Sequence, residues 1–130
     1  MTPRPSVVAS VASASLLLAA CVSAPEPDTN SWANGIWNGG YACDIDGTSV
    51  HGVLLNVLIR AGVLAVKGGA ATLEGTFDAE GKGRVIGRLR TPDAAWHDVA
   101  FDLFPREGKL AGSGETQDGD CAIDLARKQG

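Results

Sequence analysis

The chain has 130 residues and a formal net charge of −4, with 11 Lys and Arg scattered among 15 Asp and Glu, which excludes the basic patch that nucleic-acid binding requires. Seventeen glycines, a single methionine and 45% apolar residues argue against a helical bundle and for β-structure, where glycine marks turns, bends and crowded inward positions. At this length one small domain with a modest core is expected, to which a covalent cross-link is a useful supplement.

Residues 1–20 begin with Arg4 in a short polar stretch and continue as the apolar run Val7–Ala20. The run is shorter than the ~20 residues needed to cross a bilayer, so a cleaved signal peptide is expected rather than a retained span. It closes on Leu18-Ala19-Ala20-Cys21, which resembles the lipobox of bacterial lipoproteins. The resemblance implies cleavage before Cys21, acylation of its thiol and attachment to a membrane through lipid; the alternative is an ordinary secretory signal with an incidental cysteine. Residues 21–31 then read as an acylated cysteine and a flexible linker, polar, without apolar periodicity and with Pro25 and Pro27. In lipoproteins generally, Asp after the acylated cysteine is associated with inner-membrane retention in some bacteria. Here Val22 follows, and the resemblance implies the outer membrane, facing the periplasm.

From Trp32 to the C-terminus the pattern has period two, the signature of half-buried strands, and about eight of them are predicted. They are Ile36–Asp46, Ser49–Arg60, Val63–Lys67, Ala71–Asp78, Arg84–Arg90, Trp96–Phe104, Lys109–Thr116 and Asp120–Lys128. The first places Trp37, Gly39, Tyr41, Cys43 and Ile45 on one face. The second places His51, Val53, Leu55, Val57 and Ile59 together, although Leu54 and Leu58 give it a second apolar stripe. In the fifth, Val85, Gly87 and Leu89 point inward, and Arg84, Arg88 and Arg90 share the other face. Turns this short cannot connect parallel strands. An all-β domain over residues 32–130 follows, a small antiparallel up-and-down barrel, with a two-sheet sandwich as the alternative.

With Cys21 acylated, Cys43 and Cys121 remain, in an exported chain where paired cysteines persist as disulfides. Both lie on inward faces, one in the first strand and one in the last. Their bond would close a ring of roughly 79 residues and contribute about 4.5 kcal/mol in the chain-entropy model. If they stand opposite, Asp44 faces Asp120 and Asp46 faces Asp118. Neither cysteine has a metal-ligand partner at suitable spacing, so no metal and no cofactor is expected. Asp44, Asp46, Asp118, Asp120 and Asp124 would gather near that bond, as a site for a hard cation or simply as turn residues. His51 and His97 stand in no catalytic motif, so no catalytic residue is assigned and no enzymatic activity is expected. Trp32, Trp37 and Trp96 read as core or lid residues, with sugar stacking as the alternative.

Gly35-Ile36-Trp37-Asn38 followed by Cys43-Asp44-Ile45 resembles the opening strand of the small β-barrel inhibitors of secreted bacterial metalloproteases, some of which are outer-membrane lipoproteins. That family pairs its first cysteine with one early in the barrel, whereas here the partner is Cys121. A first-to-last bond after Tyr41-Ala42-Cys43 is similar to lipoproteins that inhibit C-type lysozymes, although those carry a Ser-Gly-x-x-Tyr loop and Tyr41 is the sole tyrosine here. Trp37 to Cys43, with the closing Cys121, Ile123, Leu125 and Arg127, is also similar to small exported bacterial proteins without assigned function. Two functional expectations follow: a non-enzymatic envelope lipoprotein that binds a partner or serves a structural role, and a periplasmic inhibitor of a protease or lysozyme.

Overall fold

Alternating apolar residues from Gly35 onward form eight strands in a computed structural model that describes residues 24–129. They are β1 (Gly35–Ile45), β2 (Thr48–Arg60), β3 (Val63–Lys67), β4 (Ala71–Phe77), β5 (Gly83–Arg90), β6 (Trp96–Arg106), β7 (Lys109–Thr116) and β8 (Gly119–Arg127). Each is antiparallel to the next, and β8 returns to β1, so the domain is a closed barrel. Cys21 and the signal-like segment lie outside the described residues.

Local chemistry explains the hairpins. Asp46-Gly47, Ala61-Gly62 and Glu107-Gly108 each place two successive residues at positive φ, between 52° and 80°. That is the two-residue turn whose twist matches the flanking strands, and glycine at its second position removes the steric cost. Because Glu107-Gly108 alone makes the β6–β7 turn, β6 continues through Pro105 to Arg106, two residues beyond the predicted end. Inside, Trp37, Phe77, Phe101, Leu73, Leu89, Leu110 and Leu125 are fully buried. A Cβ at Gly112 would stand 1.9 Å from the carbonyl oxygen of Asp102 on the adjacent strand β6, so the wall there has room only for glycine.

One end is capped by the residues that precede β1. Arg127 lies between two indoles, its guanidinium carbon 4.7 Å from the Trp32 ring centre and 4.3 Å from that of Trp37. It also donates to the carbonyls of Asn34 (2.8 Å) and Trp32 (2.5 Å). Trp37 is core, its indole N–H given to the Ala33 carbonyl at 2.8 Å, and Trp32 is the lid. The described part of the linker follows the barrel wall: Asp28 N–H donates to Phe77 O at 3.0 Å, and the buried Ser31 hydroxyl donates to Asp78 O at 2.6 Å.

In β2 the observed faces differ from the predicted ones. Val57 and Ile59 are buried as expected, but His51, Val53 and Leu55 point outward, and Val50 and Leu54 take the inner positions. The cause is one extra residue. Trp37 pairs with Val57 and Gly39 with Leu54, so Leu55 and Asn56 together oppose Asn38. Asn56 sits at φ 55°, in the left-handed region that Asn tolerates better than most residues. Its N–H donates to Asn38 Oδ1, and its Oδ1 accepts from Lys128 Nζ, both at 2.7 Å. A bulge of this kind reverses the parity of everything upstream of it.

Candidate functional site

The bulged stretch of β2 also borders an opening in the barrel wall. β2 pairs with β3 only at Ile59↔Leu64 and Arg60↔Val63, whereas β3 is paired along its whole length with β4. Above those two pairs β2 diverges and leaves a cleft of about 790 Å³. Val50, Leu54 and Val57 of β2, Val66 of β3 and Ala71 of β4 make it apolar. The Gly68–Ala70 turn and the Arg90–Pro92 segment form its upper rim.

The edge that borders the cleft has a defined hydrogen-bonding face. Ile45↔Thr48 flank the Asp46-Gly47 turn and therefore exchange both hydrogen bonds, so Thr48, Val50, Gly52 and Leu54 turn their peptide groups toward β1. The peptide groups of Ser49, His51, Val53 and Leu55 are thus directed at the seam, and no described residue pairs with them. Val53 is 75% exposed and Leu55 66%, which makes this stretch an extended, apolar, unpaired strand edge. Proteins ordinarily cover or charge such an edge.

Tyr41 forms part of the cleft floor and is 5% exposed. Its ring crosses Gly52, its cross-strand partner, so closely that a Cβ there would lie 2.1 Å from the ring carbon bearing the hydroxyl. Burial pushes its phenol above the usual tyrosine range. Lys67 and Arg90 supply positive charge at the rim, and no lining residue is acidic although the chain carries 15 carboxylates. Among the described residues the ion pairs are Arg84–Asp102 (2.8 Å) and His97–Asp118 (3.7 Å), so neither rim cation is engaged by a carboxylate.

Cys43 and Cys121 stand directly opposite on β1 and β8, with Cα atoms 4.0 Å apart, and are joined by a disulfide. Beyond them Asp46 N–H donates to Asp118 O at 3.1 Å. Among the described residues no three His, Cys, Asp or Glu side chains gather to hold a metal ion. His51 Nε2 is 3.1 Å from Ser49 Oγ, but among the described residues no carboxylate bonds the ring to orient it. Arg84, Arg88 and Arg90 do share the outer face of β5: Arg84 pairs with Asp102, Arg88 lies 5.1 Å from the Trp96 ring centre, and Arg90 reaches the cleft.

Sequence reasoning missed the cleft itself. Its trace was the doubled apolar pattern of Leu54-Leu55 and Val57-Leu58 around Asn56, which an unbroken strand does not need. No family model matches the chain, and no curated protein or solved structure was found to match it.

Proposed function

We propose that this chain is an envelope lipoprotein, tethered through acylated Cys21 to the outer membrane and facing the periplasm, whose barrel is a non-enzymatic binding domain. The carrying observation is the open β2–β3 seam, an apolar cleft beside an unpaired strand edge. A sheet edge of this length with exposed Val53 and Leu55 is a liability unless something covers it, and a partner protein of the envelope is the cover this reading supplies. The anchoring half rests on the lipobox-like Leu18–Cys21, where one acylated residue carrying several chains suffices to hold a soluble domain at a membrane.

Both halves have direct tests. Cys21→Ser should release the protein from the membrane fraction or leave it unprocessed, and a mature N-terminus elsewhere with Cys21 unmodified rejects the anchor. Val53→Lys with Leu55→Lys alters only exposed side chains. The pair should abolish co-purification of cross-linked envelope partners while leaving the melting temperature unchanged, and an identical set of captured proteins would reject the seam as the binding site.

A second reading, inhibition of a protease or lysozyme, is favoured by the extended form of Ser49–Asn56, since proteases accept their substrates as strands. Stoichiometric slowing of one enzyme in a panel of proteases and lysozymes selects it, and the absence of any slowing leaves the general binding domain.

A further inference from the structure

The cleft's chemistry specifies its occupant more closely. We propose that the β2 edge takes up an extended polypeptide segment of a partner protein, added as a strand beside Ser49–Leu55, with a carboxylate side chain held by Lys67 and Arg90. The inference rests on the reading of the seam as a binding site and names what fills it.

Three observations carry it. First, the peptide groups of Ser49, His51, Val53 and Leu55 face the seam without described partners, so an occupant that removes water from them must itself donate and accept at strand spacing. A fatty acid meets the apolar floor and the two cations but leaves that backbone row unsatisfied, which disfavours it. Second, the rim is cationic on an acidic molecule: Lys67 and Arg90 line it with no carboxylate among the lining residues. Third, a second copy of this chain pairing β2 against β2 would bring no carboxylate on the added strand, because Thr48–Arg60 contains neither Asp nor Glu. It would instead set His51 and the outer Val53 and Leu55 against their own kind. The buried Tyr41 hydroxyl on the cleft floor, without a hydrogen-bond partner among the described residues, gives the occupant one further polar contact.

The test uses the full processed protein and acetylated, amidated octapeptides of alternating valine and threonine with one central glutamate. Binding should slow hydrogen exchange at the amides of His51, Val53 and Leu55. N-methylation of one alternate set of peptide nitrogens should abolish it, and methylation of the other set should be tolerated. Glutamine in place of the glutamate should weaken binding roughly three- to tenfold, the range for two exposed ion pairs. Lys67→Glu with Arg90→Glu should invert the preference toward a lysine-bearing peptide, with the melting temperature as the check on folding.

Equal affinity for the glutamate and glutamine peptides overturns the charge assignment. Insensitivity to either set of N-methyl groups, or decanoate binding with displacement of the peptide at lower concentration, overturns the strand mode in favour of an acyl ligand. Protection of the same amides that rises with protein concentration alone, with dimers in sedimentation, assigns the edge to a second copy and overturns the proposal. If Val53→Lys with Leu55→Lys loses its cellular partners while none of these peptides binds, the binding-domain reading stands and this occupant falls.

Discussion

Tyr41 and Gly52 are interdependent. A ring that lies flat across its cross-strand partner leaves room for hydrogen only, and Gly52→Ala would put a methyl carbon 2.1 Å from the ring. The ring must then leave the cleft floor, and a loss of roughly 1–3 kcal/mol is expected in chemical denaturation, the usual cost of overpacking. Tyr41→Phe has a different signature. Burial raises the phenol's pKa above its ordinary 10.0, so the folded state favours the neutral ring. Below pH 10.0 both folded and unfolded chains hold the proton, and the group contributes no pH dependence. Above it the unfolded chain ionises first, and stability falls until the folded-state pKa is passed. Wild type should therefore lose melting temperature as pH rises beyond 10.0, and Tyr41→Phe should flatten that decline; parallel curves would place the ring in water. At the capped end, Arg127→Ala removes two indole contacts and two bonds to backbone carbonyls. A cost of about 2 kcal/mol is expected, and Arg127→Lys should not recover it because an ammonium lacks the planar fork.

At the scale of a single strand, the informative element is β2. Deleting Asn56 would restore unbroken alternation, with Val50, Gly52, Leu54, Val57 and Ile59 inward and Leu55 opposite Asn38. The bend would be lost, β2 would run on alongside β3, and the cleft would narrow. The expected outcome is a folded barrel with slower hydrogen exchange at Val53 and Leu55 and no partner binding; unchanged exchange would show that the seam opens for another reason. The same residue explains what was legible in the sequence. Strand limits were readable because X-Gly pairs such as Asp46-Gly47 and Ala61-Gly62 fix the two-residue turns, and the inward parity of Cys43 and Cys121 was readable because β1 and β8 keep alternation through those positions. In β2 a period-two reading carried back from Ile59 and Val57 passes through Asn56 without the needed step, and so puts His51, Val53 and Leu55 inside. The inner face of β2 was hidden by that single residue, and the cleft by something else. The cleft depends on how far β2 and β3 remain paired, a long-range property that local alternation does not encode.

For the whole molecule, closure depends on the β1–β8 seam, which is secured differently at its two ends. At the capped end Arg127 pairs across from Trp37 and is held between indoles. At the other end the register that sets Cys43 against Cys121 continues to the Asp46 N–H···O Asp118 bond, and so places Asp44 against Asp120 and Asp46 against Asp118 on exposed backbone. Like charges across a ladder repel. His97, 3.7 Å from Asp118, relieves this only when protonated. The disulfide therefore closes covalently the end at which these carboxylates gather. Reduction, or Cys43→Ala with Cys121→Ala, should cost up to about 4.5 kcal/mol in the chain-entropy model, which for a domain of this size lowers the melting temperature by up to roughly 20–35 °C. Before global unfolding, the amides of Ala42, Asp44, Asp120 and Ala122, whose peptide groups face the β1–β8 seam, should exchange faster while those near Trp37 and Arg127 keep their protection. The difference should grow at low ionic strength, where the carboxylates are screened least. A uniform rise in exchange around the barrel would show that the bond acts only on the unfolded chain, and two reactive thiols in the denatured, unreduced mature protein would reject the bond itself.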